Sequence, residues 1–190
     1  MRVAGFVLVG GQSRRMGQDK ALLAWGEGTL VGLVAEKVAA SAGNVSLIGD
    51  VCKYRRFGYP VYPDLHPGCG PLGGLEAALS QGLGEWNLLV ACDLPRISSD
   101  VLDAVVNAAR SAPPEVACVA PRMADGEWQP LCAAYHARSL PAVEMALAFQ
   151  RFKMKDLFTG FNVQAVPVAD AALFANANTP EDWERIRHSL

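Results

Sequence analysis

An apolar run from Ala4 to Val9, broken only by Gly5, stops at Gly10-Gly11. A short continuous run closed by glycines predicts a strand buried on both faces of a parallel sheet. Leu30, Val31, Leu33, Val34 and Val38 then fall at helical spacing. Val45–Ile48 predicts a second strand and Val61-Tyr62 a short third. Leu72, Leu75, Ala78 and Leu79 form another helical face, and Trp86–Cys92 is a strong strand. Ser98-Ser99-Asp100 supplies caps for a helix carrying Val101, Leu102, Val105 and Val106. Val116–Ala120, Leu131–Tyr135 and Val163–Val168 predict later strands, with a helix over Leu140–Phe149. Thr179-Pro180-Glu181-Asp182 opens the last helix, with Thr179 as cap and acids in the first turn. Strand–helix alternation of this kind predicts an α/β fold, a mostly parallel sheet with helices on both faces. Ligands then bind beyond the carboxyl ends of the strands, so the residues just after each strand matter most.

Composition narrows the picture. A chain of 190 residues with 51% apolar and 19% charged positions builds an ordinary core, and residues 1–190 read as one domain. The net charge of 17 − 19 = −2 argues against wrapping nucleic acid or lying on an anionic membrane. No stretch reaches the roughly 18 apolar residues of a membrane span. The Ala4–Val9 run has no small-residue cleavage site behind it, so it does not read as a signal peptide, and a soluble cytoplasmic protein is expected. Five cysteines with no C-x-x-C pair argue against a disulfide framework or structural zinc site. Trp25, Trp86 and Trp183 read as packing residues, and Trp128 beside Gln129-Pro130 is the tryptophan placed to meet a ring.

The densest chemistry follows the first strand. Gly10-Gly11-Gln12-Ser13-Arg14-Arg15-Met16-Gly17-Gln18-Asp19-Lys20 puts three glycines and three cations into eleven residues. Glycines let the backbone turn sharply and bring N–H groups to a phosphate. The loop is neither a G-x-x-x-x-G-K-[ST] phosphate loop nor a dinucleotide G-x-G-x-x-G. A solvated connector is the plain alternative, disfavoured by such a charge concentration in a near-neutral chain.

Residues Leu8 to Lys20 resemble the L-x-G-G-x-S-x-R-M-G-x-D-K signature of nucleotidyltransferases that make molybdenum cofactor dinucleotides, the guanylyltransferase branch above all. Asp64 followed by Gly70-Pro71-Leu72-Gly73-Gly74, then Cys92-Asp93-Leu94-Pro95, Gln129-Pro130-Leu131 and Asn176-Ala177-Asn178-Thr179-Pro180-Glu181, are similar to later family segments. The chain departs from some relatives at Ile48-Gly49-Asp50, where they carry an asparagine, so no role is transferred there. The resemblance implies a three-layer Rossmann-like nucleotidyltransferase fold. It implies nucleotide contacts from Leu8, Val9, Gly10, Gly11, Lys20, Asp64 and Asp93, and catalytic roles for Arg15, Lys20 and Asp93. It places Asn176 and Asn178 on the pterin side.

Each assignment has a physical side. Asp93 ends an apolar strand and offers a hard oxygen to Mg²⁺, which usually takes one or two carboxylates plus substrate phosphates. The alternative, a helix cap, is met by Ser98 and Ser99. Lys20 would place a point charge on a triphosphate. Asp64 reads equally as a turn former before Leu65-His66-Pro67, and the asparagines equally as turn chemistry. Arg151, Lys153 and Lys155 alternate with Phe152 and Met154, so an extended segment would put three cations on one face, suited to the pterin phosphate.

The implied reaction joins GMP from GTP to molybdopterin, with Mg²⁺ as cofactor and pyrophosphate as product. Contacts with other cofactor-synthesis proteins and molybdoenzyme chaperones are further family expectations. Cytidylyl transfer to the same cofactor, or nucleotidyl transfer to a sugar phosphate, would keep the chemistry. A non-catalytic nucleotide-binding adapter would have to lack Asp93 or Lys20.

Overall fold

The computed structural model describes residues 1–9, 19–26, 28–176 and 180–188. Strand β1 (Val3–Leu8) is followed by a small hairpin of β2 (Ala24–Trp25) and β3 (Gly28–Thr29), then helix α1 (Leu30–Ala42). Next come β4 (Ser46–Ile48), α2 (Val51–Tyr54), β5 (Val61–Tyr62), α3 (Pro71–Ser80), β6 (Trp86–Ala91) and α4 (Ser99–Arg110). The second half holds β7 (Cys118–Met123), β8 (Cys132–His136), α5 (Leu140–Ala148), α6 (Met154–Leu157), β9 (Val163–Val168) and α7 (Pro180–His188).

Seven strands form one sheet in the order β5-β4-β1-β6-β8-β7-β9. All run parallel except β8, which pairs antiparallel with both β6 and β7. Every residue of β1 and β6 is buried, because helices cover both faces. Alternation divides their side chains between two cores. Val3, Val7, Trp86, Leu88 and Val90 face α1 and α4, while Ala4, Phe6, Leu8 and Leu89 face α3 and α5. Full burial of such a side chain stabilises by about 1.5–3 kcal/mol, so the two central strands anchor the fold.

Local signals explain the helices beside the sheet. The Thr29 hydroxyl accepts from the Gly32 amide at the start of α1, and Gly43 ends it in the left-handed conformation. The Ser98 hydroxyl accepts from the Val101 amide and caps α4, as the sequence predicts. α4 is amphipathic: Val101, Leu102, Val105, Val106 and Ala109 are buried, and Asp100 and Asp103 are exposed.

Helix α3 crosses β1 very closely. A Cβ at Gly74 would lie 2.7 Å from the Leu8 Cδ2 atom and 3.7 Å from the Ile48 Cγ2 atom. Gly74→Val is therefore expected to overpack this layer and lower stability by about 1–3 kcal/mol, read as a lower urea midpoint. An unchanged midpoint would mean that Leu8 gives way freely.

Several features differ from the sequence expectations, among them helix α2, which no apolar spacing signals. The β2–β3 hairpin has only two residues per strand, too few for a periodicity to register. Residues Met154–Leu157 are helical, so Arg151, Lys153 and Lys155 do not form the alternating cationic face of an extended segment. Met154 and Leu157, three apart, turn into the core instead, and Lys155 pairs with Glu127 at 2.6 Å. No helix of the described residues is long and apolar enough to cross a membrane.

Candidate active site

The chain leaves β1 toward β4 and β5 on one side, and later continues from β6 to the other side of β1. Between the carboxyl ends of β1 and β6 such a sheet opens a crevice. A cleft of about 1060 Å³ lies there, lined among the described residues by Leu8, Val9, Asp19, Lys20, Asp50, Asp64, Cys92 and Asp93, with Gly70 and Pro71 of the α3 start.

Asp93 lies two residues past β6, in the turn that carries the chain away from the sheet. Three hydrogen bonds hold this turn. The Cys92 amide donates to the Leu8 carbonyl at 3.1 Å, and Lys37 Nζ, from α1, donates to the carbonyls of Pro95 (3.3 Å) and Ile97 (2.8 Å). Burial lowers the Lys37 pKa from its ordinary value. The Asp93 carboxylate is 3.7 Å from Lys20 Nζ, with side-chain exposures of 24% and 16%. Both are reachable from the cleft yet shielded enough for their charges to act strongly. Burial pushes the Asp93 carboxyl above the ordinary carboxylate value, and the Lys20 ammonium pulls in the opposite direction.

Lys20 opens a single helical turn, Lys20–Leu22, whose cap is Asp19. The Asp19 carboxylate accepts from the Ala21 amide at 3.0 Å. Asp64 accepts from the His66 amide at 2.8 Å, which is the turn-forming role, and it also lines the cleft. Its carboxylate nests against α3, where a Cβ on Gly73 would come within 2.7 Å of Oδ1. That close approach accounts for a glycine at this position of the Gly70–Gly74 segment. Gly70 stands at the cap position of α3 with no side-chain capping bond, and Gly70 and Pro71 line the cleft.

The predicted residues fare differently. Lys20, Asp64 and Asp93 come together, from three separate segments. Leu8 and Val9 also reach the cleft, but the Val9 backbone is already engaged: its amide donates to the Ile48 carbonyl and its carbonyl accepts from Tyr54. Leu8 and Val9 thus contribute the apolar floor. Asn176 is exposed and is not among the cleft-lining residues. Gly10, Gly11, Arg15, Asn178 and the Thr179 cap lie outside the described residues. Trp128 is half-buried, edge-on to Phe158 at 5.4 Å and covered by Arg122 at 5.1 Å, which is a packing role. Trp25 and Trp183 pack on each other at 5.4 Å, as expected. Sequence reasoning missed Lys37 and Tyr54, which lie inside α1 and α2 where the local pattern marks them only as polar or aromatic positions, and it transferred no role to Asp50, the cap of α2.

The cleft wall carries four carboxylates, Asp19, Asp50, Asp64 and Asp93, against Lys20 as its cation among the described residues. No group of three or more His, Cys, Asp or Glu side chains among these residues makes an all-protein metal cage. A hard oxygen beside an open space suits a cation that keeps most of its coordination for water and phosphate, which is the Mg²⁺ pattern.

Fold and site together define an α/β nucleotide-binding protein of the nucleotidyltransferase class, with its site at the strand ends. The MobA-like NTP transferase domain matches residues 5–160, and the chain belongs to that family. It is similar to the molybdenum cofactor guanylyltransferase of Xanthomonas euvesicatoria pv. vesicatoria, at 35% identity over 97% of this chain and 94% of that protein. It is also similar to a solved structure, molybdopterin-guanine dinucleotide biosynthesis protein A from Archaeoglobus fulgidus, with a TM-score of 0.81 and 25% identity, covering 100% of this chain and 98% of that one.

Proposed function

We propose that residues 1–190 form one nucleotidyltransferase domain that moves GMP from GTP to molybdopterin, releasing pyrophosphate. The observation that carries this reading is the Lys20–Asp93 pair facing a cleft at the strand ends. The family membership and the guanylyltransferase names of full-length relatives support it. An oxygen of the pterin phosphate attacks the α-phosphorus of GTP, and the bond from that phosphorus to the β-phosphate oxygen breaks in line. The attacking group is already an anion, so no protein base is needed, and positioning and charge neutralisation remain the protein's tasks. Lys20 holds charge that develops on the departing pyrophosphate. Asp93 fits as the carboxylate for Mg²⁺, which, when bound, neutralises phosphate oxygens and fixes their orientation. Arg15, Gly10 and Gly11 complete the phosphate site, Asp64 faces the nucleotide, and Asn176 with Asn178 serve the pterin side. Other cofactor-synthesis proteins and molybdoenzyme chaperones are the expected partners.

Ligand-induced thermal shifts test this reading. GTP with Mg²⁺ is expected to raise the unfolding midpoint, since binding to the folded state at a hundredfold excess over Kd adds about 2.7 kcal/mol. CTP, UTP, dTTP and ATP are expected to give smaller shifts. A preference for CTP would move the chain to cytidylyl transfer, and a preference for UTP or dTTP to sugar phosphates.

A further inference from the structure

One buried hydroxyl joins both stems of the glycine-rich loop. Tyr54, the last residue of α2, is 2% exposed. Its hydroxyl lies 2.6 Å from the carbonyl oxygen of Val9, just before the loop, and 2.6 Å from Asp19 Oδ2, just after it. Val9 and Asp19 are ten positions apart in sequence, and Tyr54 comes 35 positions after Asp19. The other Asp19 oxygen caps the turn that begins with Lys20, and Lys53 pairs with the same carboxylate from outside. The Tyr54 ring belongs to the buried core and lies 6.4 Å from the Phe57 ring, centroid to centroid. Burial, then the neighbouring Asp19 carboxylate, push the Tyr54 phenol well above the ordinary tyrosine value, so it keeps its one proton, shared between the Val9 carbonyl and the Asp19 carboxylate.

We propose that Tyr54 is a positioning residue for nucleotide transfer: its hydroxyl ties the two loop stems together and thereby sets Lys20 opposite Asp93. It touches neither nucleotide nor metal and acts through Asp19 and the capped turn. The inference rests on the reading of Lys20 as a phosphate ligand. Preorganising a cation before the ligand arrives removes an ordering cost from binding. The benefit falls on the part of the nucleotide that Lys20 meets, the β- and γ-phosphates, and not on the base, ribose or α-phosphate.

The test compares GTP and GMP affinities, measured by calorimetry with Mg²⁺, in wild type, Tyr54→Phe, Lys20→Met and the double variant. Tyr54→Phe keeps the ring and deletes the oxygen. Its GTP affinity is expected to fall about tenfold, the scale of one hydrogen bond to a charged group, with GMP affinity within about twofold of wild type. In the Lys20→Met background the same change is expected to cost nothing further, because both act through one contact. Asp19→Asn keeps an oxygen for the Ala21 amide but puts an NH2 group where Asp19 Oδ2 accepts from Tyr54, and it is expected to lose part of the GTP preference over GMP. An equal loss for GTP and GMP, or additive losses in the double variant, would assign Tyr54 a general structural role and overturn the proposal. If the wild type prefers CTP, the guanylyl reading fails while the comparison, run on CTP and CMP, still decides the role of Tyr54.

Discussion

Asp93→Asn is expected to remove nearly all turnover and, in the same molecule, to raise the unfolding midpoint of the metal-free, ligand-free protein at neutral pH. The two effects share a cause. Burial holds the Asp93 carboxyl above its ordinary value even with the Lys20 ammonium at 3.7 Å. A folded-state pKa above the unfolded value means that the neutral form is the better tolerated one. Its contribution to stability is complete below the unfolded pKa and is lost as pH rises through the folded pKa. At pH 7 the carboxylate is therefore a cost to the ligand-free fold. Asparagine has the same shape and no charge, so it removes that cost. The midpoint difference between variant and wild type should shrink as the pH falls below the carboxylate range. Turnover should fall by about 10²–10³ or more, the usual loss when one preorganised electrostatic contact to a transition state is deleted. Calorimetric melts in chelator across pH, with pyrophosphate release in Mg²⁺, measure both. Normal pyrophosphate release by the variant would end the assignment of Asp93 to the metal. A midpoint lower than wild type at neutral pH would show that Lys20 compensates the buried charge more than its 3.7 Å separation indicates.

Lys20→Met is expected to lower kcat/KM for nucleotide transfer by about 10²–10³, with Lys20→Arg recovering only part. The side chain is 16% exposed, so its charge acts in a partly shielded site where screening by solvent is incomplete. Arginine keeps the charge but spreads it over a planar fork, which does not reproduce the point charge of the lysine ammonium. The substitution also has an electrostatic readout independent of turnover. Lys20 is the group that favours the ionised form of Asp93. Its removal should push the Asp93 carboxyl still higher, which carbon-detected NMR titration of the metal-free protein can follow. An unmoved Asp93 titration would mean that the two side chains do not share the cleft in solution.

Much of this architecture was legible along the chain because it depends on local repetition. The β1 and β6 segments are continuous apolar runs, and a strand covered on both faces has no polar side to interrupt it. The Ser98 cap and the strand Val163–Val168 are likewise local, and both were predicted. The segment around Lys153 shows the limit of that reasoning. Alternation of charge and apolar residues fits a strand, but over so few positions a single helical turn buries Met154 and Leu157 equally well. Reversal of β8 between β6 and β7 is a matter of pairing partners at long range, which no window of residues contains.

The candidate site divides in the same way. The glycines and cations after β1 pointed to phosphate chemistry by their identity, and the resemblance to a nucleotidyltransferase family singled out Lys20 and Asp93 for catalysis. Their 3.7 Å meeting, the nesting of Asp64 against Gly73 and the joining of Val9 to Asp19 by Tyr54 were decided only by tertiary structure. The physical reason is that a parallel sheet brings β1 and β6 side by side although more than seventy residues separate them, and helix α2 then delivers one hydroxyl to both loop stems. Residue identity set the chemistry on offer, and long-range packing set which groups could act on one another.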